Sequence, residues 1–228
     1  MKNHSLLINL IVFFLVLFFF IIPPAFFPSR PVETISFPGT NLVLFLFSIF
    51  LFYFTQKKDL KKNKNRFFKL IVNSVLCFLS LFALGMIFNF IAFHFSQKTN
   101  AIFLPETKKE VFYIALSFLF SAFYEEILYR LYIPEQIKSF VCKIKSNFTV
   151  FVISEIPVLF LFALAHKYNG IFSVLNAGCA YIILRFFYKK TGNIFVNVAS
   201  HFFYNLTMLF ITGNSILHNC CHPITFQG

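Results

Sequence analysis

Charge is what this chain lacks. Only 12% of its 228 residues are Asp, Glu, Lys or Arg, about half the share of a soluble domain. With 58% hydrophobic residues, the composition argues against a soluble globular domain and for a membrane protein. A paired cysteine framework is also missing. Cys77 and Cys179 sit in apolar runs and read as small packing residues. The "HNCCH" tail (218–222) has the wrong spacing for the usual zinc sites and reads as a tail. No clear small-residue cleavage site follows the first apolar run, which is too long for a signal-peptide core and reads as a retained transmembrane helix. No internal repeat and no second soluble domain interrupts the chain. It reads as one integral-membrane domain, 1–228, in which 1–66 are accessory helices.

The net charge of +12 invites a nucleic-acid reading, but its placement opposes one. The densest run, "KKDLKKNKNR" (57–66), lies between two apolar segments, and no aromatic residues interleave with basic ones outside the apolar spans. Such a run suits a cytoplasmic loop of a multi-pass protein. Placing it inside puts the N-terminus in the cytoplasm and the C-terminus outside, with fifteen of the twenty basic residues on the cytoplasmic side.

Seven apolar stretches approach the length of about 20 residues that a spanning helix needs. They cover roughly 5–22, 41–55, 68–95, 111–133, 150–166, 171–188 and 194–212. The fold class is therefore all-α: a polytopic membrane bundle of about seven helices, expected in the cell membrane and in contact with lipid. The proline-rich stretch 23–39 is expected to stop the first helix.

Polar side chains inside such spans are expensive, so each is a functional candidate. Three clusters stand out late in the chain: "EEILYR" with Glu125, Glu126 and Arg130; "FALAH" ending at His166; and "SHFFYN" with His201 and Asn205. Glu126 and Arg130 are four apart and share a helix face, so they can pair. Glu125 is turned about 100° away, with no obvious partner on its own helix. It must find one on another helix or take up a proton. His201 and Asn205 also share a face, as do Phe162 and His166.

At about 1.5 Å per residue, Glu125 and His201 lie at similar depths, roughly 10–12 Å from the cytoplasmic helix ends. His166 lies at the far end of its helix, and Pro157 in "SEIP" is expected to start or kink that helix and shift it. Glu155 is three turns before His166 on the same face; it reads as a helix cap or a snorkelling side chain rather than a second acid.

One glutamate, two imidazoles and an amide make a hydrolytic set. The carboxylate can take a proton from water, and an imidazole can hold that water or relay the proton. A second imidazole and an amide can stabilise an oxyanion. The same two histidines with Glu125 can instead hold zinc with one position open. A polar network that merely locks helices together fits these residues as well. A proton-coupled transporter would need matched broken helices in two halves, and no such symmetry is visible.

The three clusters, in this order on successive late helices, resemble the EExxxR, FxxxH and HxxxN motifs of the CPBP (Abi) intramembrane proteases, which include the type II CAAX prenyl endopeptidases. The likeness covers about 111–212, which would be the catalytic core. It implies a protease that cuts peptides within or beside the bilayer, with a buried polar cavity. Glu125 and His166 would activate water, His201 and Asn205 would stabilise the oxyanion, and Glu126, Arg130 and Phe162 would support them. The resemblance favours a metal-free glutamate protease, with no cofactor; a zinc form would use His166, His201 and Glu125. Partners would be a peptide or protein substrate and no nucleic acid. One departure is Leu131, where a glycine often follows the arginine. The main alternative is a non-catalytic membrane scaffold for a sensor kinase or peptide exporter.

Overall fold

A computed structural model describes residues 2–27, 35–55, 66–95, 105–141 and 146–220; the basic run at 57–65 and the side chains of the HNCCH tail lie outside what it describes. Among the described residues there is no strand. The helices are α1 (Lys2–Val16), α2 (Ile22–Phe26), α3 (Gly39–Thr55), α4 (Arg66–His94), α5 (Lys108–Glu126), α6 (Ile133–Phe140), α7 (Asn147–Leu164), α8 (Ile171–Thr191) and α9 (Ile194–Cys220). Among the described residues six helical runs are long and apolar enough to cross a membrane, and Gly39–Tyr53 is a shorter seventh. The protein is thus an all-α, multi-pass membrane bundle.

Local sequence sets the ends of these helices. Thr107 caps α5 through a reciprocal pair of bonds with Glu110, which satisfies two of the helix's free amides. Ser146 accepts from the Thr149 amide at the start of α7. Between α7 and α8 the chain turns through Gly170 at φ 92°, a conformation that a side chain disfavours.

Two prolines behave differently from expectation. The first helix does not stop at Pro23; a π-helical stretch, Leu17–Ile21, is followed by α2, which contains Pro23 and Pro24. Likewise a π-helical stretch, Ile127–Tyr132, joins α5 to α6, with Pro134 near the start of α6. Proline lacks an N–H and its ring crowds the carbonyl four residues earlier, so each widened turn lets the helix pass. The carbonyl of Phe20, four before Pro24, instead accepts from the Tyr124 hydroxyl at 3.2 Å. Pro157 neither starts nor ends α7 but lies inside it.

Packing follows the apolar pattern. Helix α4 lies against α8 and α9, α3 against α5, α5 against α9, and α7 against α8. The main core joins Tyr124, Ile127, Leu128 and Tyr132 to Val158, Phe162 and Tyr181. Phenylalanines such as Phe67, Phe68, Phe90 and Phe93 remain more than 70% exposed. That surface suits lipid tails and would be a liability in water.

Candidate active site

The late helices enclose a cavity of about 420 Å³. Glu125, His166, His201 and Asn205 all line it, together with Phe162, Ser121, Asn176 and Tyr204. It reaches the turn between α7 and α8, where Tyr168 and Asn169 also face it. His166 lies just beyond α7, so its depth is matched by the reach of the cavity rather than by a shift at Pro157.

Glu125 has a partner on its own helix after all. Ser121, one turn earlier, donates its hydroxyl to Oε1 at 2.8 Å. Oε2 is buried and has no hydrogen bond among the described residues; His201 Nε2 stands 3.9 Å away across the cavity. A carboxylate oxygen kept from water without a donor is costly, and that cost marks it as a place for a proton or a water molecule.

Glu126 faces the other way and is wholly buried. His201 Nδ1 lies 2.8 Å from Oε1, Asn197 Nδ2 donates to Oε2 at 3.1 Å, and Arg130 Nε stands 3.3 Å from Oε2. A carboxylate can only accept, so His201 carries a proton on Nδ1 and turns Nε2 to the cavity. Arg130 is also fully buried, and its guanidinium makes no hydrogen bond with correct geometry. Its charge is met by Glu126 and by the faces of Phe162, 4.0 Å away, and Tyr181, 5.1 Å away.

Phe162 connects the two histidines. Its ring lies on Arg130, and its carbonyl accepts from His166 Nδ1 at 2.9 Å. A carbonyl cannot donate, so His166 has its proton on Nδ1 and a lone pair on Nε2. Burial holds the His166 pKa below the ordinary imidazole value, against the opposing pull of the Glu125 carboxylate. A neutral ring with a free Nε2 can hold or accept the proton of water. Asn205 lines the same cavity four residues beyond His201.

Tyr204 completes the wall. Its hydroxyl accepts from Asn176 Nδ2 at 3.0 Å, and its side chain lies so close to α4 that a Cβ on Gly85 would meet the hydroxyl at 2.7 Å and the ring at 2.8 Å. Only glycine fits there without moving the ring.

Glu155 is no helix cap and does not snorkel. It is 4% exposed, holds Arg185 through both oxygens at 2.7–3.0 Å, and accepts from Tyr181 at 3.2 Å. It lies apart from the cavity, because its partners are on α8, thirty residues away in sequence, and sequence spacing cannot show them. Ser121 and Asn197 were missed as well. Both carried a signal, since each stands four residues before a motif residue and so on its face.

Among the described residues no three His, Cys, Asp or Glu side chains form a group that could hold an ion.

Residues 107–207 match the family described as type II CAAX prenyl endopeptidase Rce1-like. No curated protein and no solved structure matches the chain.

Proposed function

We propose, from the premise that residues 107–207 belong to the Rce1-like family of type II CAAX prenyl endopeptidases, that this multi-pass membrane protein hydrolyses peptide bonds in membrane-associated substrates by a metal-free glutamate mechanism. The observation that supports it best is the unbonded Oε2 of Glu125, facing His166, His201 and Asn205 across one cavity.

Water lies between Glu125 Oε2 and His166 Nε2. As its oxygen attacks the scissile carbonyl carbon, its proton passes to Glu125. Charge gathers on the carbonyl oxygen, to which the Asn205 amide and His201 Nε2, both lining the cavity, donate. For Nε2 to donate, the ring must hold a proton on each nitrogen, and Glu126, bonded to Nδ1, supplies the counter-charge while Glu125 holds the proton of water. The C–N bond then breaks, and the leaving nitrogen takes the proton from Glu125. Arg130 and Phe162 hold Glu126 and His166 in place throughout.

The substrate is a peptide segment of CAAX-like, bacteriocin or signalling type, presented at the membrane. On the orientation suggested by the basic residues, with the N-terminus cytoplasmic, the α7–α8 turn that the cavity reaches lies on the outer side. Comparative peptidomics of membranes from cells expressing the parent or Glu125→Gln tests this reading. Peptides processed by the parent should accumulate uncut in the variant. Identical peptide profiles at equal protein levels would refute it. A non-catalytic scaffold would give that second result.

A further inference from the structure

A helix that contains proline leaves one carbonyl without its usual donor, and here that carbonyl belongs to Arg130. Pro134 is four residues later and has no N–H to offer. Arg185 Nη1, from α8, donates to it instead. The rest of the Arg185 guanidinium is held mainly by Glu155, with Nε 3.0 and 2.8 Å and Nη2 2.7 Å from the carboxylate oxygens, and Nη2 also reaches Glu135 at 3.5 Å. Glu155 is fixed in turn by Tyr181 at 3.2 Å and Lys189 at 3.0 Å. The same solution occurs once more in this chain, where Tyr124 takes the Phe20 carbonyl that Pro24 leaves free.

What hangs from the Arg130 turn is the support of both histidines. The Arg130 side chain meets Glu126, which bonds His201, and covers Phe162, whose carbonyl bonds His166. We propose that Arg185, clamped by Glu155, is a positioning residue of the active site. It replaces the hydrogen bond that Pro134 removes, fixes the widened turn at Ile127–Tyr132, and so sets the orientation of His201 and His166. The catalytic consequence rests on the proteolytic reading above; the positioning itself does not.

Arginine suits this role because its planar fork can bond a carboxylate and a carbonyl together. Lysine would keep the charge beside Glu155 but serve only one of them. The test therefore uses the full chain in micelles, labelled with ¹⁵N-histidine, and reads the ring N–H resonances. Those of His201 and His166 are assigned by their loss in His201→Gln and His166→Gln. In Arg185→Lys we expect both signals to move and broaden while the melting temperature stays within a few degrees. Adding Pro134→Ala, which returns a backbone donor to the Arg130 carbonyl, should bring them back toward the parent positions. Should Arg185→Lys not fold, Glu155→Gln combined with Arg185→Gln removes both charges and is read in the same way. Ring signals unmoved in the folded variant, or a shift that Pro134→Ala fails to reverse, overturns the proposal. No substrate enters this measurement, so its failure would leave the proteolytic reading intact.

Discussion

Two glutamates sit within this bundle, one buried and one half-buried, and they differ most in what surrounds their oxygens. Glu155 meets Arg185 through both oxygens, with Tyr181 and Lys189 beside it. Glu125 meets one serine hydroxyl and leaves its second oxygen buried and unbonded at the wall of a cavity. The first arrangement is saturated and has nothing to offer a substrate. The second is a carboxylate held short of donors, which only water or a reacting group can supply. Between these two acids, it is an unsatisfied oxygen at a cavity wall, rather than polarity alone, that separates the reactive side chain from the structural one.

The largest effect should come from exchanging the reactive oxygen for an amide nitrogen. Glu125→Gln is expected to lower cleavage by about 10³-fold, within the range for loss of a positioned general base. Its melting temperature should stay at or above that of the parent, because the variant removes a poorly solvated charge. Both readings are available from one purified sample, by peptide cleavage and thermal denaturation. A strongly destabilised Glu125→Gln would erase the contrast, since both acids would then be structural.

Glu155→Gln should do the reverse. It takes from the buried Arg185 its close carboxylate and leaves it only the partly exposed Glu135 at 3.5 Å, and removing one partner of a buried pair costs about 3–5 kcal/mol. The expected result is a clear drop in melting temperature. If the variant melted with the parent, Glu155 would not be the anchor that its bonds describe.

Next in size is Asn205→Ala. Loss of one oxyanion donor typically lowers kcat about 10²-fold, with KM little changed if the donor acts only in the transition state. A rise in KM at constant kcat would instead make Asn205 a substrate-binding group. The acid limb of the kcat/KM profile sharpens the same boundary. Burial lowers the His166 pKa, so the ring stays neutral below the ordinary imidazole value of about 6.5. Activity should therefore persist at pH 6.5 and fall only at lower pH. A limb at or above that value would mean that His166 is not the neutral acceptor proposed.

Much of this contrast was legible in the sequence, because membrane spans make every polar residue conspicuous. The seven apolar stretches and the fourfold spacings of Glu126 with Arg130 and His201 with Asn205 follow from length and helical period. What stayed hidden was tertiary. Spacing along one helix cannot show that Arg185 reaches Glu155 from another, nor that Tyr124 and Arg185 take carbonyls freed by Pro24 and Pro134. The proline-rich stretch 23–39 reads as a break because its local effect is to remove donors; at Pro24 the structure supplies one from a neighbouring helix. Glu125 was read as partnerless because a serine is a less obvious mate for a carboxylate than a cation.

That serine gives the smallest and finest test. Ser121 Oγ holds Glu125 Oε1 at 2.8 Å, which leaves Oε2 as the oxygen turned to the cavity. Ser121→Ala removes a hydrogen bond to a charged group, a loss of about 1.5 kcal/mol or somewhat more, equivalent to roughly tenfold in rate. The carboxylate keeps its charge but loses its fixed orientation. The loss should therefore appear in kcat, with KM and melting temperature near parent values. Ser121→Thr, which keeps the hydroxyl, should recover most of it. If Ser121→Ala cleaved at the parent rate, the walls of the cavity rather than its own helix would aim Glu125, and its unbonded oxygen would owe nothing to the bond on the other.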